Sequence, residues 1–119
     1  FYPYYWGGAG ETGIGPGLGA NLNVPLALGS GIEAFQAGLD ELLDAMASFS
    51  PDALVVALGL DAHKDDPLAG LTLETPDFVA IGRQIGELSL PTVLVQEGGY
   101  PTAALSHNLA AFLRGFTDA

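Results

Sequence analysis

Ala53-Leu54-Val55-Val56-Ala57-Leu58-Gly59-Leu60 runs directly into Asp61-Ala62-His63-Lys64-Asp65-Asp66-Pro67-Leu68, and Pro91-Thr92-Val93-Leu94-Val95-Gln96 runs into Glu97-Gly98-Gly99-Tyr100. Each is a short, largely β-branched or aliphatic run that stops at residues able to do chemistry. The first run has apolar side chains at successive positions, the pattern of a central parallel strand covered by helices on both faces. In an open parallel sheet, ligands bind beyond the carboxyl ends of the strands. Asp61 and Tyr100 are therefore expected on one rim of one sheet, a carboxylate and a phenol facing the same pocket.

The segments around these runs complete an alternating pattern. Thr75-Pro76-Asp77 offers an N-cap, a proline at the first helical position and an acid near the helix dipole. Phe78, Ile81, Ile85 and Leu88 then recur as a buried helical stripe. Pro101 is read as opening a last helix with Leu105, Leu109, Phe112 and Leu113 facing inward. Upstream, Asn21-Leu22-Asn23-Val24-Pro25-Leu26 alternates polar and apolar as a half-buried strand does, with Pro25 favouring an edge or strand end. Ser30-Gly31-Ile32-Glu33 has capping-box spacing, and Ile32, Phe35, Leu39, Leu42, Leu43, Met46 and Phe49 place a helix over about residues 31–49. The predicted order is βαβαβα with short connections, hence a parallel sheet with right-handed crossovers and an α/β layered fold.

Residues 1–20 read as a loop. Gly13-Ile14-Gly15-Pro16-Gly17-Leu18-Gly19 is not a phosphate loop: the dinucleotide fingerprint needs a strand before it and a helix directly after, and no Gly-Lys-Ser/Thr is present. The glycines instead let the loop turn tightly beside other backbone.

The chain has 119 residues, 49% of them hydrophobic and 14% charged, which is globular composition for one domain. One sheet with helices on both faces usually takes roughly 150 residues or more, and the sequence begins Phe1-Tyr2-Pro3 without an initiator Met. It is read as part of a longer chain. There are no cysteines, which excludes disulfides and thiolate zinc sites. No run of about 18 apolar residues is present, so no membrane partner is expected. No basic-then-apolar leader is visible, and a cytoplasmic location is expected. The net charge of −11, from 14 acidic and 3 basic residues, repels phosphate backbones and argues against nucleic acid. Such a surface would attract cationic ligands such as polyamines or basic peptides, and its plainer reading, the one preferred here, is solubility.

For the site residues, local chemistry leaves two readings each. Asp61 is a carboxylate at the end of a buried strand, where it is either bound to a cation or capping its loop through backbone amides. Tyr100, behind two glycines that let backbone pass close to a ligand, is either an oxyanion donor or an ordinary amphipathic rim residue. Glu97 could pin this loop through backbone amides. Asp61-x-His63 has the spacing of a zinc pair on a strand, but the segment has already entered a loop, and catalytic zinc takes three protein ligands. That weighs against His63. His107, within the last helix, reads as structural.

Taken together, the motifs resemble a known family. Leu58-Gly59-Leu60-Asp61 followed by Asp66-Pro67-Leu68 is similar to the second zinc-ligand segment of the histone deacetylase superfamily, and Glu97-Gly98-Gly99-Tyr100 to its glycine-tyrosine loop. Phe1-Tyr2-Pro3, Glu11-Thr12-Gly13 and Gly17-x-Gly19-x-Asn21-x-Asn23-x-Pro25-Leu26 match in order and spacing, closest to the bacterial acetylpolyamine amidohydrolase branch. The resemblance implies an arginase/deacetylase-like three-layer α/β sandwich with a parallel sheet, of which residues 1–119 are the C-terminal portion of one catalytic domain, the N-terminal part being absent. It implies Asp61 as one of three ligands to Zn2+, and Tyr100 as transition-state donor to the acetyl carbonyl. It also implies Tyr2 and Leu68 as walls of the substrate channel, and Gly98 and Gly99 as its floor. His63 has no ligand role in the family pattern.

The expected substrate is an acetylated polyamine or acetyl-lysine, and a homo-oligomer of the complete protein is compatible with the pattern. The family's other two zinc ligands and its paired histidines have no counterpart here, so no activity is expected of this chain alone. The alternative is a non-catalytic binding module that keeps the acetylated-amine pocket.

Overall fold

The computed structural model describes residues 8, 10–68, 70–100 and 102–119. Its elements are a 3-10 turn (Gly15–Gly17), α1 (Ile32–Phe49), β1 (Leu54–Leu58), α2 (Thr75–Gly86), β2 (Thr92–Gln96) and α3 (Leu105–Thr117). The chain falls into two compact units, Phe1–Pro51 and Asp52–Ala119. Tyr2 and Pro101 lie outside the described residues.

In the second unit the two apolar runs pair as parallel strands, Leu54 opposite Thr92 through Leu58 opposite Gln96. Helix α2 is the crossover between them. The predicted covering of both faces holds for one. Leu54, Val56, Leu58 and Leu94 are at least partly buried, whereas Val55 is 72% and Val93 58% exposed, with Ala57 and Val95 on the same open face. Side chains alternate across a strand, so the two faces of a two-strand ladder need separate cover.

Helix α2 starts one residue earlier than the sequence suggests. Its N-cap is Glu74, not Thr75, and Glu74 forms a capping box with Asp77, whose carboxylate accepts the Glu74 N–H at 2.8 Å. Thr75 is thereby free to donate its hydroxyl to Oδ1 of buried Asn108 on α3, at 2.6 Å. Phe78, Ile81 and Ile85 are buried as expected, with Leu88 half-buried.

On α3 Phe112 is buried as expected and Leu105 and Leu109 are half-buried, but Leu113 is exposed, and Asn108, Ala111 and Gly115 are buried with Phe112. The reason is a close helix crossing. A Cβ at Gly82 would collide with the Phe112 carbonyl, and one at Gly115 with the Val79 carbonyl. Small residues let the two backbones touch, and that contact selects the face.

In the first unit the expected strand over residues 21–26 does not form. Pro25 has no N–H to give to a ladder. The asparagines meanwhile bind the preceding loop: Asn21 Nδ2 donates to the Glu11 carbonyl at 2.6 Å and Asn23 Nδ2 to the Gly8 carbonyl at 3.1 Å. The alternation still has a packing purpose, since Val24 and Leu26 lie against Gly38 of α1, where a Cβ would stand 3.0 Å from Val24 Cγ1. The observed order is therefore αβαβα. The N-cap of α1 is Gly31, one residue beyond Ser30, so the expected capping box gives way to a glycine cap whose carbonyl accepts from Phe35. The glycine-rich loop turns as tightly as expected: Gly13 and Gly19 have positive φ, and a Cβ at Gly13 would strike the Gly17 carbonyl.

Candidate functional site

The site residues stand where the two strands end. Beyond the last register pair, Leu58 and Gln96, hydrogen bonding continues: Glu97 N–H donates to the Leu58 carbonyl at 3.0 Å, and Leu60 N–H to the Gly98 carbonyl at 3.2 Å. This extension carries both loops outward together. It places Asp61 beside Gly98 at one carboxyl edge.

Asp61 is half-buried between glycines. A Cβ at Gly59 would lie 2.7 Å from its Oδ1, and a Cβ at Gly98 would lie 2.9 Å from Oδ1 and 3.3 Å from Oδ2. The carboxylate thus occupies space that a side chain at either position would take. Among the described residues it receives no hydrogen bond. An anionic oxygen donor without a proton partner suits a cation. Among the described residues, however, no group of three His, Cys, Asp or Glu could hold a metal ion.

Gly98 and Gly99 have φ of 87° and 110°, a region in which other residues are strained. Gly99 is also pressed against Leu60 Cβ and Leu105 Cδ1, 2.9 and 2.8 Å from where its own Cβ would be. Gln96 Nε2 donates to the Gly98 carbonyl at 2.8 Å, a second hold on the same oxygen that Leu60 binds. Tyr100 follows directly and is 40% exposed, with Leu68 exposed in the facing loop.

One residue joins these two loops, and sequence reasoning assigned it no role. Asp66 is only 5% exposed. Its Oδ1 accepts the Leu68 N–H and its Oδ2 the Tyr100 N–H, each at 2.9 Å. The first bond is a local Asx turn, foreshadowed by an Asp placed before a proline. The second spans 34 positions and has no local signal.

His63 is 4% exposed. Its Nδ1 accepts the Asp65 N–H at 3.2 Å, and its ring stacks on Phe78 at 6.5 Å between centroids. It is packed against Phe78 of α2. His107 is exposed on α3, with Nδ1 3.3 Å from the Ala103 carbonyl. The base of the Asp61 loop is closed by Leu73, which donates to Ala62 and accepts from Lys64. There Lys64 Nζ contacts Glu74 Oε1 at 2.5 Å. That hydrogen bond, followed by the attraction of charge, holds the Glu74 carboxyl below its ordinary range and the Lys64 ammonium above its own.

Residues 1–116 match the histone deacetylase domain family. Acetylpolyamine amidohydrolase 1 of Pseudomonas aeruginosa is 43% identical over 118 residues, covering 99% of this chain and 34% of that protein. The crystal structure of the acetylpolyamine aminohydrolase from Burkholderia pseudomallei superposes with a TM-score of 0.92 at 45% identity, over 98% of this chain and 34% of the other. The HDA15 HD domain superposes at 0.88 with 27% identity, over 99% and 34% respectively. The chain spans about a third of the length of these relatives. The expected α/β class with a parallel sheet, of the deacetylase type, agrees with these neighbours.

Proposed function

This chain belongs to the histone deacetylase domain family, and from that premise we propose that it carries part of the active site of a zinc-dependent hydrolase that removes acetyl groups from N-acetylated cationic amines. The observation that carries this reading is the meeting of Asp61 and the Gly98-Gly99-Tyr100 loop at one carboxyl edge, with the Asp61 carboxylate laid on glycine backbone. Relatives named acetylpolyamine amidohydrolases support an acetylated polyamine as substrate, with acetyl-lysine as the other member of the same chemical class. The net charge of −11 is suited to a cationic amine.

Asp61 is proposed as one zinc ligand. Its donor chemistry fits, and because a catalytic zinc takes about three protein ligands, the ion would be shared with residues outside this chain. When bound, the ion supplies polarisation of the acetyl carbonyl and of the attacking water. The Tyr100 phenol donates a hydrogen bond to the carbonyl oxygen as negative charge develops there. Leu68 would flank the acetylated side chain, and Gly98 and Gly99 would let it pass close to the backbone. Tyr2 is proposed as a lining residue of the channel on resemblance alone.

The test uses the protein expressed from its complete reading frame. Zinc content is measured, and turnover is compared on a mono-acetylated diamine and on an acetyl-lysine peptide. Deacetylation that is lost on chelation and restored by zinc supports the proposal. Binding of the acetylated amine without any turnover would replace the hydrolase by a binding module.

A further inference from the structure

We propose that Asp66 is the positioning residue of this site, and that its carboxylate sets where Tyr100 and Leu68 stand relative to each other. The proposal rests on the reading of Tyr100 given above and deepens it.

The backbone leading to Tyr100 needs fastening. Two successive glycines at positive φ precede it, and glycine loses more conformational freedom on ordering than any other residue. The loop is fastened at two points. On the near side the Gly98 carbonyl is bound by Leu60 N–H and Gln96 Nε2. On the far side the Tyr100 N–H is bound by Asp66 Oδ2. The two fastenings bracket Gly99 and close a ring, because Leu60 and Asp66 flank the Asp61 turn. That turn is itself held by His63 N–H to the Leu60 carbonyl and Asp66 N–H to the His63 carbonyl. With the far tie absent, Gly99 could rotate and carry the Tyr100 Cα, and with it the phenol, away from Asp61.

The residue type follows from this geometry. Two backbone N–H groups from different loops converge on one point, and a carboxylate offers two acceptor oxygens with charge-assisted strength. An amide of the same shape has one acceptor oxygen, so Asn could satisfy Leu68 or Tyr100 but not both. Asp66 has no route to the reacting atoms on this account. It acts through the backbone of Tyr100.

The experiment is a double-mutant cycle on kcat in the complete, zinc-loaded enzyme, using Asp66→Asn, Tyr100→Phe and the pair. A displacement of about 1 Å at a reacting group costs on the order of 100-fold, so Asp66→Asn is expected to lower kcat by roughly 10- to 100-fold, with KM and zinc content nearly unchanged. The decisive readout is the coupling. Tyr100→Phe is expected to cost at least tenfold less in the Asp66→Asn background than in the native one, because the phenol is already misplaced there.

Full additivity, or native kcat in Asp66→Asn beside a large loss in Tyr100→Phe, overturns the positioning role and leaves the Tyr100 reading standing. No loss in Tyr100→Phe alone overturns both. Should Asp66→Asn fail to fold, Asp66→Glu keeps both acceptors and the charge while displacing them by one methylene. It is expected to fold and bind zinc with lowered kcat and the same coupling to Tyr100→Phe; native kcat or full additivity in that variant would overturn the proposal.

Discussion

The carboxylate of Asp61 lies flat against Gly98: a Cβ at position 98 would come within 2.9 Å of Oδ1, 3.2 Å of Cγ and 3.3 Å of Oδ2. The glycine serves two needs at once, since its φ of 87° also lies where a side chain is strained. Gly98→Ala is therefore expected to displace Asp61 and to destabilise by about 1–3 kcal/mol, the usual range for a strained backbone position combined with overpacking. Zinc content and thermal unfolding of the variant, measured together, check this. Native zinc content with native stability would show that the Asp61 carboxylate is free to move aside.

Tyr100 and Asp61 should fail differently when changed. An oxyanion donor acts in the transition state, and loss of one typically costs on the order of 100-fold or more in turnover with little change in substrate affinity. Tyr100→Phe is expected to show that pattern with full zinc content. Asp61→Ala should lose zinc and activity together. Steady-state kinetics on an acetylated diamine with metal analysis separates the two, and near-native turnover in Tyr100→Phe would reduce the phenol to part of the rim.

The crossing of α2 and α3 is set by glycine, not by large side chains. A methyl at Gly115 would meet the Val79 carbonyl, carbonyl carbon and Cα at once, all of them backbone. Backbone cannot rotate out of the way, so Gly115→Ala should cost about 1–3 kcal/mol by overpacking. A depressed thermal midpoint is the expected result. Exposed Leu113→Ala, two residues before Gly115 on the outer side of the helix, should move it far less.

The Lys64–Glu74 pair gives a pH dependence with a definite sign. Glu74 is lowered from its ordinary value of 4.5, so its contribution is fully present above that pH and is lost as pH falls through the lowered value. Lys64 is raised from 10.5, so its contribution is present below that pH and is lost as pH rises further. Both groups are exposed, and the effect should shrink with added salt. Lys64→Met is expected to flatten the acid limb of the stability curve at low ionic strength. An unchanged acid limb would mean that the pair makes no contribution to stability.

The sequence placed the helices α1, α2 and α3 and the strands β1 and β2 to within a few residues, because each is written in a local period or an apolar run. It misplaced features that depend on competition among nearby partners. Residues 21–26 alternate like a strand but never join a ladder, since Asn21 and Asn23 spend their side chains on the preceding loop. Ser30 and Thr75 each have a cap's chemistry, but the caps are Gly31 and Glu74. One-residue shifts of this kind rest on which donor finds an acceptor, and spacing does not reveal that.

The candidate site divides along the same line. That the Asp61 and Tyr100 segments leave one sheet edge was legible, because both follow an apolar run and a parallel crossover brings successive strand ends together. The Asp66 tie to Tyr100 across 34 positions was not. Nor was the burial of Asn108 and Gly115 on α3, or the exposure of Leu113. Sequence alone determined the three helices, the two paired strands and the polar residues that end those strands, since these depend on the periodicity of neighbours along the chain. Tertiary structure alone decided which carboxylate holds the Tyr100 loop and which helix face is buried, since those depend on backbone groups that meet only after folding.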